Sequence, residues 1–569
     1  MSYKIQFENV SFKYANSDNF ALKNINLEIE PGEIILITGP AGSGKTTLCS
    51  CINGLVPHYH EGDLQGNVLI GPYNTKKARI GGLASIVGMV FQDPESQLVT
   101  NSVLDEIAFG PENLGVSKEE IDSRIQAALK ATRLAGYEER EPHNLSGGEQ
   151  QACVIAATYA MHPDIYVMDE PLANLDPEGR AHILNLVVQV AQQRGKTLVI
   201  VEHSLEDVLP LVDRIILMNN GEILRDGPTN EVLAQGDIPR IFKRPDIMRL
   251  SEEFQLPQLA YTPKSFVDQL KGKYTLNKYS NGHYSHSEQT KSDVVIEVND
   301  LSFGYSDEQQ ALHNVSFKVH SGEIVAILGR NGSGKTTLVR HLIGLNQPDS
   351  GSISVMGRDV AQTPTHVLAR DVGFCFQNPN HQIVSFTVRD EMQFGLKAHN
   401  IDPDLFDERI QKSLEVVGMS DYIDSEVFNL GKGLVQRLAL ASVLTLNPKI
   451  LVFDEPTCGQ DPVMIDGIFN ILRRLNEEGT TILLITHRID YAANFAQRAL
   501  VLQRGHLSYD GQISKLLLDQ ELMSRNALEL PDLTKLAIEL KDNDVTPNIV
   551  SYEEMKEALT QITEVNHGN

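Results

Sequence analysis

Runs of apolar residues bounded by polar ones predict alternating strands and helices. The segment INLEIEPGEIILITG (25–39) first alternates and then becomes continuously apolar, as does a strand that enters a buried parallel sheet. The runs IYVMDEP (165–171) and TLVIVEH (197–203) are also short apolar runs, and both end in polar residues. We therefore predict an α/β fold whose functional groups lie at the carboxyl ends of the strands.

The segment SKEEIDSRIQAAL (117–129) predicts an amphipathic helix between these strands. Ser117 and Glu120 have the spacing of a capping box, which would begin the helix. The apolar residues that follow recur at helical spacing and are Ile121, Ile125, Ala128 and Leu129.

The whole pattern occurs twice. GPAGSGKTTL begins at Gly39 and GRNGSGKTTL at Gly329, 290 residues later, while Asp169 of YVMDEP and Asp454 of LVFDEP are 285 residues apart. This period is far longer than that of solenoid repeats, so it predicts the tandem duplication of a whole domain.

The repeat also predicts the domain boundaries. We expect the two repeated domains at 1–240 and 293–515, separated by a helical extension and polar linker at 241–292. The linker lacks periodicity in KYSNGHYSHSEQTKS. A second helical extension is predicted at 516–569, because LPDLTKL resembles RPDIMRL of the first half.

Composition and charge narrow the class of protein. The chain has 569 residues and a net charge of −26, which disfavours binding to phosphate backbones. No apolar run approaches the roughly 18–20 residues that span a bilayer, and residues 1–10 do not resemble a signal peptide, so a soluble protein is expected. The cysteines show no metal-type pairing and are expected to be reduced thiols in the cytoplasm: Cys49, Cys51, Cys153, Cys375 and Cys458.

The strongest chemical signal is G-x-x-x-x-G-K-[ST], which occurs in both halves. Its glycines allow backbone N–H groups to curl around a polyphosphate, its lysine can reach the β- and γ-phosphates, and its threonine can bind Mg²⁺. The predicted nucleotide contacts are Gly39, Pro40, Ala41, Gly42, Ser43, Gly44, Lys45, Thr46 and Thr47 in the first half, and Gly329, Arg330, Asn331, Gly332, Ser333, Gly334, Lys335, Thr336 and Thr337 in the second.

Acidic pairs close two of the predicted strands, Asp169-Glu170 and Asp454-Glu455. Such residues can simply cap a following helix. Downstream of a P-loop, the aspartate suits magnesium binding and the glutamate suits positioning of an attacking water.

Two further residue types recur at equivalent positions. His203 and His487 follow the next strand and are either structural or γ-phosphate contacts. Gln92 and Gln377 are either surface amides or sensors of the metal and water. The candidate metal ligands are thus Thr46, Gln92, Asp169, Thr336, Gln377 and Asp454.

The ordered set of P-loop, Gln loop, LSGGE, DEP, NLD and strand-end histidine resembles the nucleotide-binding domains of ABC ATPases in both halves. The stretch FQDPESQLVTNSVLDEIAFGPENLG (91–115) resembles the energy-coupling factor (ECF) branch of importers, and 376–396 is a looser version. In that branch this stretch grips helices of a transmembrane coupling protein. The resemblance also implies that Tyr14 and Tyr305 stack on adenine, although both also suit sheet-surface aromatics.

The two signature segments differ between the halves. Ser146-Gly147-Gly148-Glu149 has the residues of a capping box, whereas the second half has Gly431-Lys432-Gly433-Leu434. In ABC ATPases two domains pair head-to-tail, so each ATP lies between one domain's P-loop and the other's signature. The resemblance therefore implies that the altered signature serves the first P-loop, which would make that site slow.

The resemblance implies two ECF-type ATPases fused in one chain, which use ATP and Mg²⁺ at the cytoplasmic face of the membrane. Their partners would be an integral membrane coupling protein and a separate substrate-binding membrane subunit, for a vitamin, a vitamin precursor or a metal ion. A fused ABC protein that acts on ribosomes or nucleic acid is disfavoured by the net charge of −26 and the FGPENLG stretch, and we expect no nucleic-acid partner. A non-enzymatic scaffold is disfavoured by Glu170 and Glu455.

Overall fold

The structure is a computed structural model, and it forms two compact units, 1–245 and 246–569. The residues that it describes are 3–15, 17–172, 175, 177–203, 205–233, 244–278, 293–306, 309–456, 462–526, 528–545 and 551–565.

The first unit contains two sheets. Its strands are β1 Ile5–Tyr14, β2 Leu22–Ile29, β3 Ile34–Thr38, β4 Gly62–Ile70, β5 Tyr73–Asn74, β6 Val87–Val90, β7 Ile165–Asp169, β8 Thr197–Val201, β9 Arg214–Asn219 and β10 Glu222–Pro228. The four-stranded antiparallel sheet has the order β2-β1-β4-β5. The larger, six-stranded sheet has the order β10-β9-β3-β8-β7-β6. All pairs in the larger sheet are parallel except β9 with β10. The helices are α1 Lys45–Ile52, α2 Leu55–His58, α3 Ile80–Ala84, α4 Val103–Asn113, α5 Lys118–Thr132, α6 Gly147–Ala160, α7 Pro177–Arg194, α8 Leu205–Val208 and α9 Thr229–Leu233.

The second unit repeats both sheets. Its strands are β11 Tyr274–Leu276, β12 Val294–Ser306, β13 Gln309–His320, β14 Ile324–Leu328, β15 Ser350–Val355, β16 Arg358–Asp359, β17 Val372–Cys375, β18 Ile450–Asp454, β19 Thr481–Ile485, β20 Arg498–Gln503, β21 His506–Gln512 and β22 Thr563–Val565. The four-stranded sheet has the order β13-β12-β15-β16, and the six-stranded sheet has the order β17-β18-β19-β14-β20-β21. The helices are α10 Asp246–Glu253, α11 Pro263–Lys273, α12 Lys335–Leu342, α13 Thr365–Leu368, α14 Val388–Ala398, α15 Phe406–Val417, α16 Lys432–Leu444, α17 Pro462–Glu477, α18 Ile489–Phe495, α19 Ile513–Leu518, α20 Gln520–Arg525, α21 Asp532–Glu539 and α22 Tyr552–Ile562.

The predicted α/β fold is confirmed, and the hydrophobic pattern explains it. Strand β2 alternates buried and exposed residues, as its sequence predicts, while β3 is almost wholly buried because helices cover the larger sheet. In the first unit one core cluster joins the antiparallel sheet to β3 and α1, including Phe12, Ile35 and Leu48. The P-loop therefore leaves a rigid strand and enters a helix that is anchored in the core.

Helix α5 has the predicted apolar face, since Ile121, Ile125, Ala128 and Leu129 are all buried. The predicted capping box is wrong. Ser117 occupies the N-cap position but its side chain caps no amide. Glu120 instead accepts a hydrogen bond from Arg124 Nε at 3.0 Å, and this charged donor competes with the helix backbone for the carboxylate.

The segments that follow the two halves fold together inside the second unit. Strands β11 and β22 pair antiparallel, with Thr275 opposite Glu564. One core joins α10 and α11 to α21 and α22, and its fully buried members include Phe266, Leu536 and Leu559. The helices after the first half thus share a core with the helices at the end of the second half. Residues 279–292 of the predicted linker lie outside the described residues.

Two sequence expectations concern membranes and thiols. Among the described helices, none combines the length and the apolar character that crossing a bilayer requires. Cys49, Cys51, Cys153 and Cys375 are buried free thiols, while Cys458 lies outside the described residues.

Candidate nucleotide site in each half

Each P-loop links the central strand of the larger sheet to a helix. Residues 39–44 connect β3 to α1 and residues 329–334 connect β14 to α12, so the threonines of both motifs lie in the first helical turn. A Cβ added to Gly39 would lie 2.1 Å from the Met218 carbonyl oxygen, and one added to Gly329 would lie 2.3 Å from that of Leu502. The close approach of the neighbouring strand therefore requires glycine at both positions.

The P-loop lysines are buried and reach across their own loops. Lys45 Nζ donates to the carbonyl oxygens of Gly39 and Pro40, both at 2.9 Å. Lys335 Nζ donates to those of Gly329 at 2.7 Å and Arg330 at 2.9 Å. Each ammonium group is therefore held where the loop would surround a phosphate.

The aspartates that close β7 and β18 lie against the P-loop helices. Thr336 Oγ1 donates to Asp454 Oδ2 at 3.1 Å, and Thr46 hydrogen-bonds to Asp169. Burial, and then the adjacent Glu455, raises the pKa of Asp454 to about 6. The pKa of Asp169 is also raised, by burial and by Glu170.

This pair of sites fits a divalent cation that also binds phosphate. Among the described residues, Asp169 Oδ1 and Asp454 Oδ1 are buried and have no hydrogen-bond partner, which is unfavourable unless something else compensates them. Within the described residues, no group of three or more His, Cys, Asp or Glu side chains could hold a metal alone. Mg²⁺ suits such sites because it binds one or two protein oxygens and completes its shell with phosphate and water.

In the first half, three predicted residues meet at one carboxylate. Glu170 Oε1 lies 2.9 Å from His203 Nε2, and Glu170 Oε2 accepts a hydrogen bond from Gln92 Nε2. Glu170 has a φ of 52°, an uncommon value for a residue with a Cβ. Such strained backbone is often found at functional sites, and here it accompanies the contacts to His203 and Gln92.

The second half repeats most of this arrangement. Glu455 has a φ of 50°, and its Oε2 lies 3.0 Å from His487 Nδ1. Burial opposes ionisation of Glu455, but the nearby His487 and Lys335 outweigh it and hold its pKa below the ordinary value. Gln377 is exposed in this half, whereas Gln92 is partly buried in the first.

The two tyrosines lie beside their P-loop helices. Tyr14 Oη is 2.9 Å from Thr47 Oγ1, and Tyr305 Oη is 3.1 Å from Thr337 Oγ1. Burial raises the pKa of Tyr14, whereas the Tyr305 residue is 54% exposed. Both hydroxyls thus fix the rings next to the predicted phosphate site.

The first-half signature has the predicted capping box. Ser146 Oγ accepts from the Glu149 amide at 3.4 Å, and Glu149 Oε2 accepts from the Ser146 amide at 2.8 Å. These hydrogen bonds outweigh the effect of burial and lower the pKa of Glu149. Gly147 and Gly148 lie in the first turn of α6, and the capping hydrogen bonds stabilise this helix N-terminus.

The second-half signature keeps the backbone and loses the cap. Gly431 is the N-cap of α16 with φ −68° and ψ 157°, close to the φ −63° and ψ 155° of Ser146. No side chain that the structure describes caps this helix. The side chain of Lys432 and residues Asn174 and Asp176 of the NLD motif lie outside what the structure describes.

Comparisons with known proteins agree with this arrangement. The family model described as "ABC transporter" matches residues 22–173 and 312–458. A protein of Caldanaerobacter subterraneus subsp. tengcongensis named "Putative ABC transporter ATP-binding protein" is 36% identical over 566 residues, covering 97% of this chain and 98% of its own length. A protein of Methanosarcina mazei with the same printed name is 34% identical, covering 98% and 97%.

A solved structure gives a partial likeness. It is titled "Structure of cbiO1 from clostridium perfringens: Part of the ABC transporter complex cbiONQ" and is 30% identical, with a TM-score of 0.38. The match covers 42% of this chain and 96% of that one.

The fold and the two P-loop sites are those of a nucleotide-binding ATPase, duplicated in tandem. The chain belongs to the ABC transporter ATP-binding family, which it matches along almost its whole length.

One buried residue of the first site was missed by sequence reasoning. Glu202 directly precedes His203 and is 5% exposed. The internal repeat could have identified it, because the second half has Thr486 at the equivalent position, directly before His487.

Proposed function

We propose that this chain is the ATP-binding and ATP-hydrolysing subunit of an ECF-type importer. The observation that carries the proposal is a set of exposed apolar side chains on the stretch that follows each Gln loop. In the sequence this stretch resembles the segment that ECF ATPases use to hold a membrane protein. The subunit would lie peripherally at the cytoplasmic face of the membrane.

We call this set the post-Gln surface, and it is more aromatic in the second half. In the first half Val99 is 65% and Phe109 49% exposed. In the second half Val384 is 61%, Phe386 73% and Phe394 55% exposed. Exposed apolar side chains can mark interaction sites, and these lie within the stretches 91–115 and 376–396 that resemble the coupling segment.

The second half also carries an aromatic pair that the first half lacks. The rings of Phe386 and Phe428 have centroids 6.0 Å apart, and Phe428 is 81% exposed. At the equivalent positions the first half has Asn101 and His143. Because both positions of the pair differ, we propose that the halves hold two different helices of an asymmetric membrane partner.

Each half supplies the groups for phosphoryl transfer to water. The P-loop amides and Lys45 or Lys335 would hold the β- and γ-phosphates. Glu170 or Glu455 would orient the attacking water and accept its proton, while His203 or His487 would hold that carboxylate and contact the γ-phosphate. Mg²⁺, held near Thr46 and Asp169 or their counterparts, would neutralise charge on the transferred group.

By the family resemblance, we propose that the two halves pair head-to-tail when ATP is bound. Ser146 and Gly148 would then complete the site of Glu455, while Gly431 and Lys432 would complete the site of Glu170. The site of Glu170 would then lack a signature hydroxyl, so it would be the slower of the two. ATP binding would close the halves and hydrolysis would reopen them, which moves the membrane partner.

In this class of transporter, the membrane subunits determine which substrate is transported. We propose a vitamin, a vitamin precursor or a metal ion, recognised by a separate substrate-binding subunit. The alternative function, action on ribosomes or nucleic acid, predicts a different partner. The purification experiment described next therefore distinguishes it from the importer function.

The experiment is affinity purification of the tagged chain from detergent-solubilised membranes of its own cells, followed by mass spectrometry. The expected result is recovery of an integral coupling protein and a substrate-binding membrane protein. Replacing Phe386 and Phe428 with Ser should reduce that recovery, whereas Leu345→Ser, at a 51% exposed residue after α12, should not. Recovery of ribosomes instead of membrane proteins would overturn the proposal.

A further inference from the structure

A buried glutamate lies in the first turn of the helix that follows the Gln loop in each half. Glu106 of α4 is 6% exposed and Glu391 of α14 is 3% exposed. Burying a carboxylate is costly unless hydrogen bonds replace the water that it loses. The hydrogen-bond donors around these two residues therefore indicate what they hold.

In the first half, the donors belong to the loop that precedes α4. Glu106 Oε2 accepts hydrogen bonds from the Val99 amide at 3.0 Å and from the Thr100 amide at 2.9 Å. It also accepts one from Thr100 Oγ1 at 2.8 Å. A single oxygen thus fixes two consecutive backbone units of this loop to the helix.

This loop carries part of the post-Gln surface. Val99 is 65% exposed, although its amide is bonded to a buried oxygen. Glu106 therefore sets the position of an exposed apolar side chain without itself being accessible to a partner. Any movement of the first turn of α4 would move this side chain as well.

The first turn of α4 is also bonded to residues 138–140, which we call the pre-signature segment. The Val103 amide donates to the Arg140 carbonyl oxygen at 3.0 Å, and the Leu104 amide donates to that of Glu138, also at 3.0 Å. Helix α4 packs against α6, which begins at the signature. The first turn of α4 thus joins the loop of Val99 to the signature region.

The second half repeats these contacts. Glu391 Oε2 accepts hydrogen bonds from the Val384 and Ser385 amides, both at 3.0 Å, and Val384 is 61% exposed. The Val388 amide donates to the Ser425 carbonyl oxygen at 3.0 Å. The arrangement is therefore common to both halves, in contrast to their signatures.

We propose that Glu106 and Glu391 are positioning residues that tie the post-Gln surface to the signature region of the same half. The proposal rests on the proposed function, in which ATP contacts the signatures and a membrane protein binds the post-Gln surface. Movement of a signature on ATP binding would then pass through the bonded first turn to Val99 or Val384. Without the carboxylates the chain should still bind ATP, but ATP should no longer change its affinity for the membrane partner.

The first test measures whether the glutamates hold the loops, in the isolated chain without nucleotide. Hydrogen exchange at the Val99 and Thr100 amides should become roughly tenfold faster or more in Glu106→Leu, because both amides lose their acceptor. Exchange at these amides should not change in Glu391→Leu, which should act only on its own loop. Unchanged exchange in Glu106→Leu would overturn the inference.

The second test measures binding of the purified chain to membrane vesicles from its own cells, stripped of the native chain. For the wild type, the concentration that half-saturates the vesicles should change about fivefold or more when Mg-ATP is added. Glu106→Leu with Glu391→Leu should reduce this change to less than about twofold, because the loops are no longer tied to the helices. Glu106→Gln with Glu391→Gln keeps an acceptor oxygen on each side chain and should retain most of the response.

The matched control is Asp105→Asn with Asp390→Asn, which removes a carboxylate from the same two helical turns. Both aspartates are exposed, so these variants should keep the response to ATP. All the double variants should hydrolyse Mg-ATP in isolation with kcat and KM within about twofold of the wild type, because none alters the P-loops or the acidic pairs. An equal loss of hydrolysis and of the membrane response in the Leu variants, or a lost response in the Asn variants, would overturn the proposed role.

The two measurements separate this inference from the proposed function. Faster exchange in Glu106→Leu, without any binding of the wild type to the vesicles, would overturn the proposed function and support the role of the glutamates in holding the loops. Wild-type binding that responds to ATP, combined with an unchanged response in the Leu variants, would overturn the inference and leave the proposed function intact.

Discussion

Replacing Gly431 with Ser should give α16 the cap that α6 has. The N-cap torsions of Gly431 and Ser146 differ by only a few degrees, and a Cβ added to Gly431 would meet no atom within 4 Å. Serine therefore fits this position without strain. Its hydroxyl would be placed to accept a hydrogen bond from the Leu434 amide, as Ser146 Oγ accepts one from the Glu149 amide.

The expected effects on stability and rate differ in size. Serine in place of glycine at an N-cap changes stability by only a few tenths of a kcal/mol, so the fold should be unaffected. A hydrogen bond to a charged group contributes about 1.5–3 kcal/mol. If the new hydroxyl bonds the γ-phosphate only in the transition state, hydrolysis should rise roughly 10- to 100-fold. Additional replacement of Lys432 by Gly would complete the Ser-Gly pair of the first half.

Phosphate release in two backgrounds shows which site responds. Under the proposed head-to-tail pairing, Gly431→Ser should raise the rate when Glu455→Gln leaves only the site of Glu170. It should have no effect in the Glu170→Gln background. Ser146→Gly is the reciprocal variant and should lower the rate only in the Glu170→Gln background.

The opposite pattern would refute this reasoning. A rise that occurs in the Glu170→Gln background would show that each signature serves the P-loop of its own half. No change in either background, with ATP affinity intact, would show that the hydroxyl makes no transition-state contact.

Three other outcomes are expected. Replacing Lys45 and Lys335 together with Ala should abolish Mg-ATP binding in equilibrium dialysis, because backbone amides alone cannot balance the triphosphate charge; near wild-type affinity would contradict the P-loop assignment. Phe266→Ala, at a fully buried site, should lower the free energy of unfolding of the joined extensions by about 3–5 kcal/mol in a urea titration, whereas Phe428→Ala should change it by less than about 0.5 kcal/mol. Because burial in the folded state raises the pKa of Glu202 from 4.5 to about 8, the wild type should lose stability relative to Glu202→Gln as pH rises between these values, and equal melting temperatures at pH 5 and pH 8.5 would refute this.

Structural features that depend on a few consecutive residues could be predicted from the sequence. The P-loops follow from glycine spacing, and the capping box of α6 follows from Ser146 and Glu149. The same reasoning was wrong at Ser117, where Arg124 binds the Glu120 carboxylate one turn later. A capping pattern therefore predicts where a helix begins more reliably than it predicts which side-chain hydrogen bond forms there.

Features that join distant segments could not be predicted in this way. No local pattern shows that Tyr274–Leu276 pairs with Thr563–Val565, because register depends on two strands far apart in the chain. The contact of Glu202 with the Leu172 amide is similar, because the two residues approach each other only when β7 and β8 are paired. The sequence indicated candidate residues for the chemistry, whereas the contacts that surround them required the fold.

The central claim is that this chain hydrolyses ATP at two unequal sites. The most direct test is steady-state phosphate release from the single variants Glu170→Gln and Glu455→Gln, assayed with the membrane partners present. The account predicts that Glu455→Gln removes most of the activity, because its site would be completed by the intact signature of Ser146, and that Glu170→Gln leaves a larger remainder. A greater loss for Glu170→Gln than for Glu455→Gln would contradict the account.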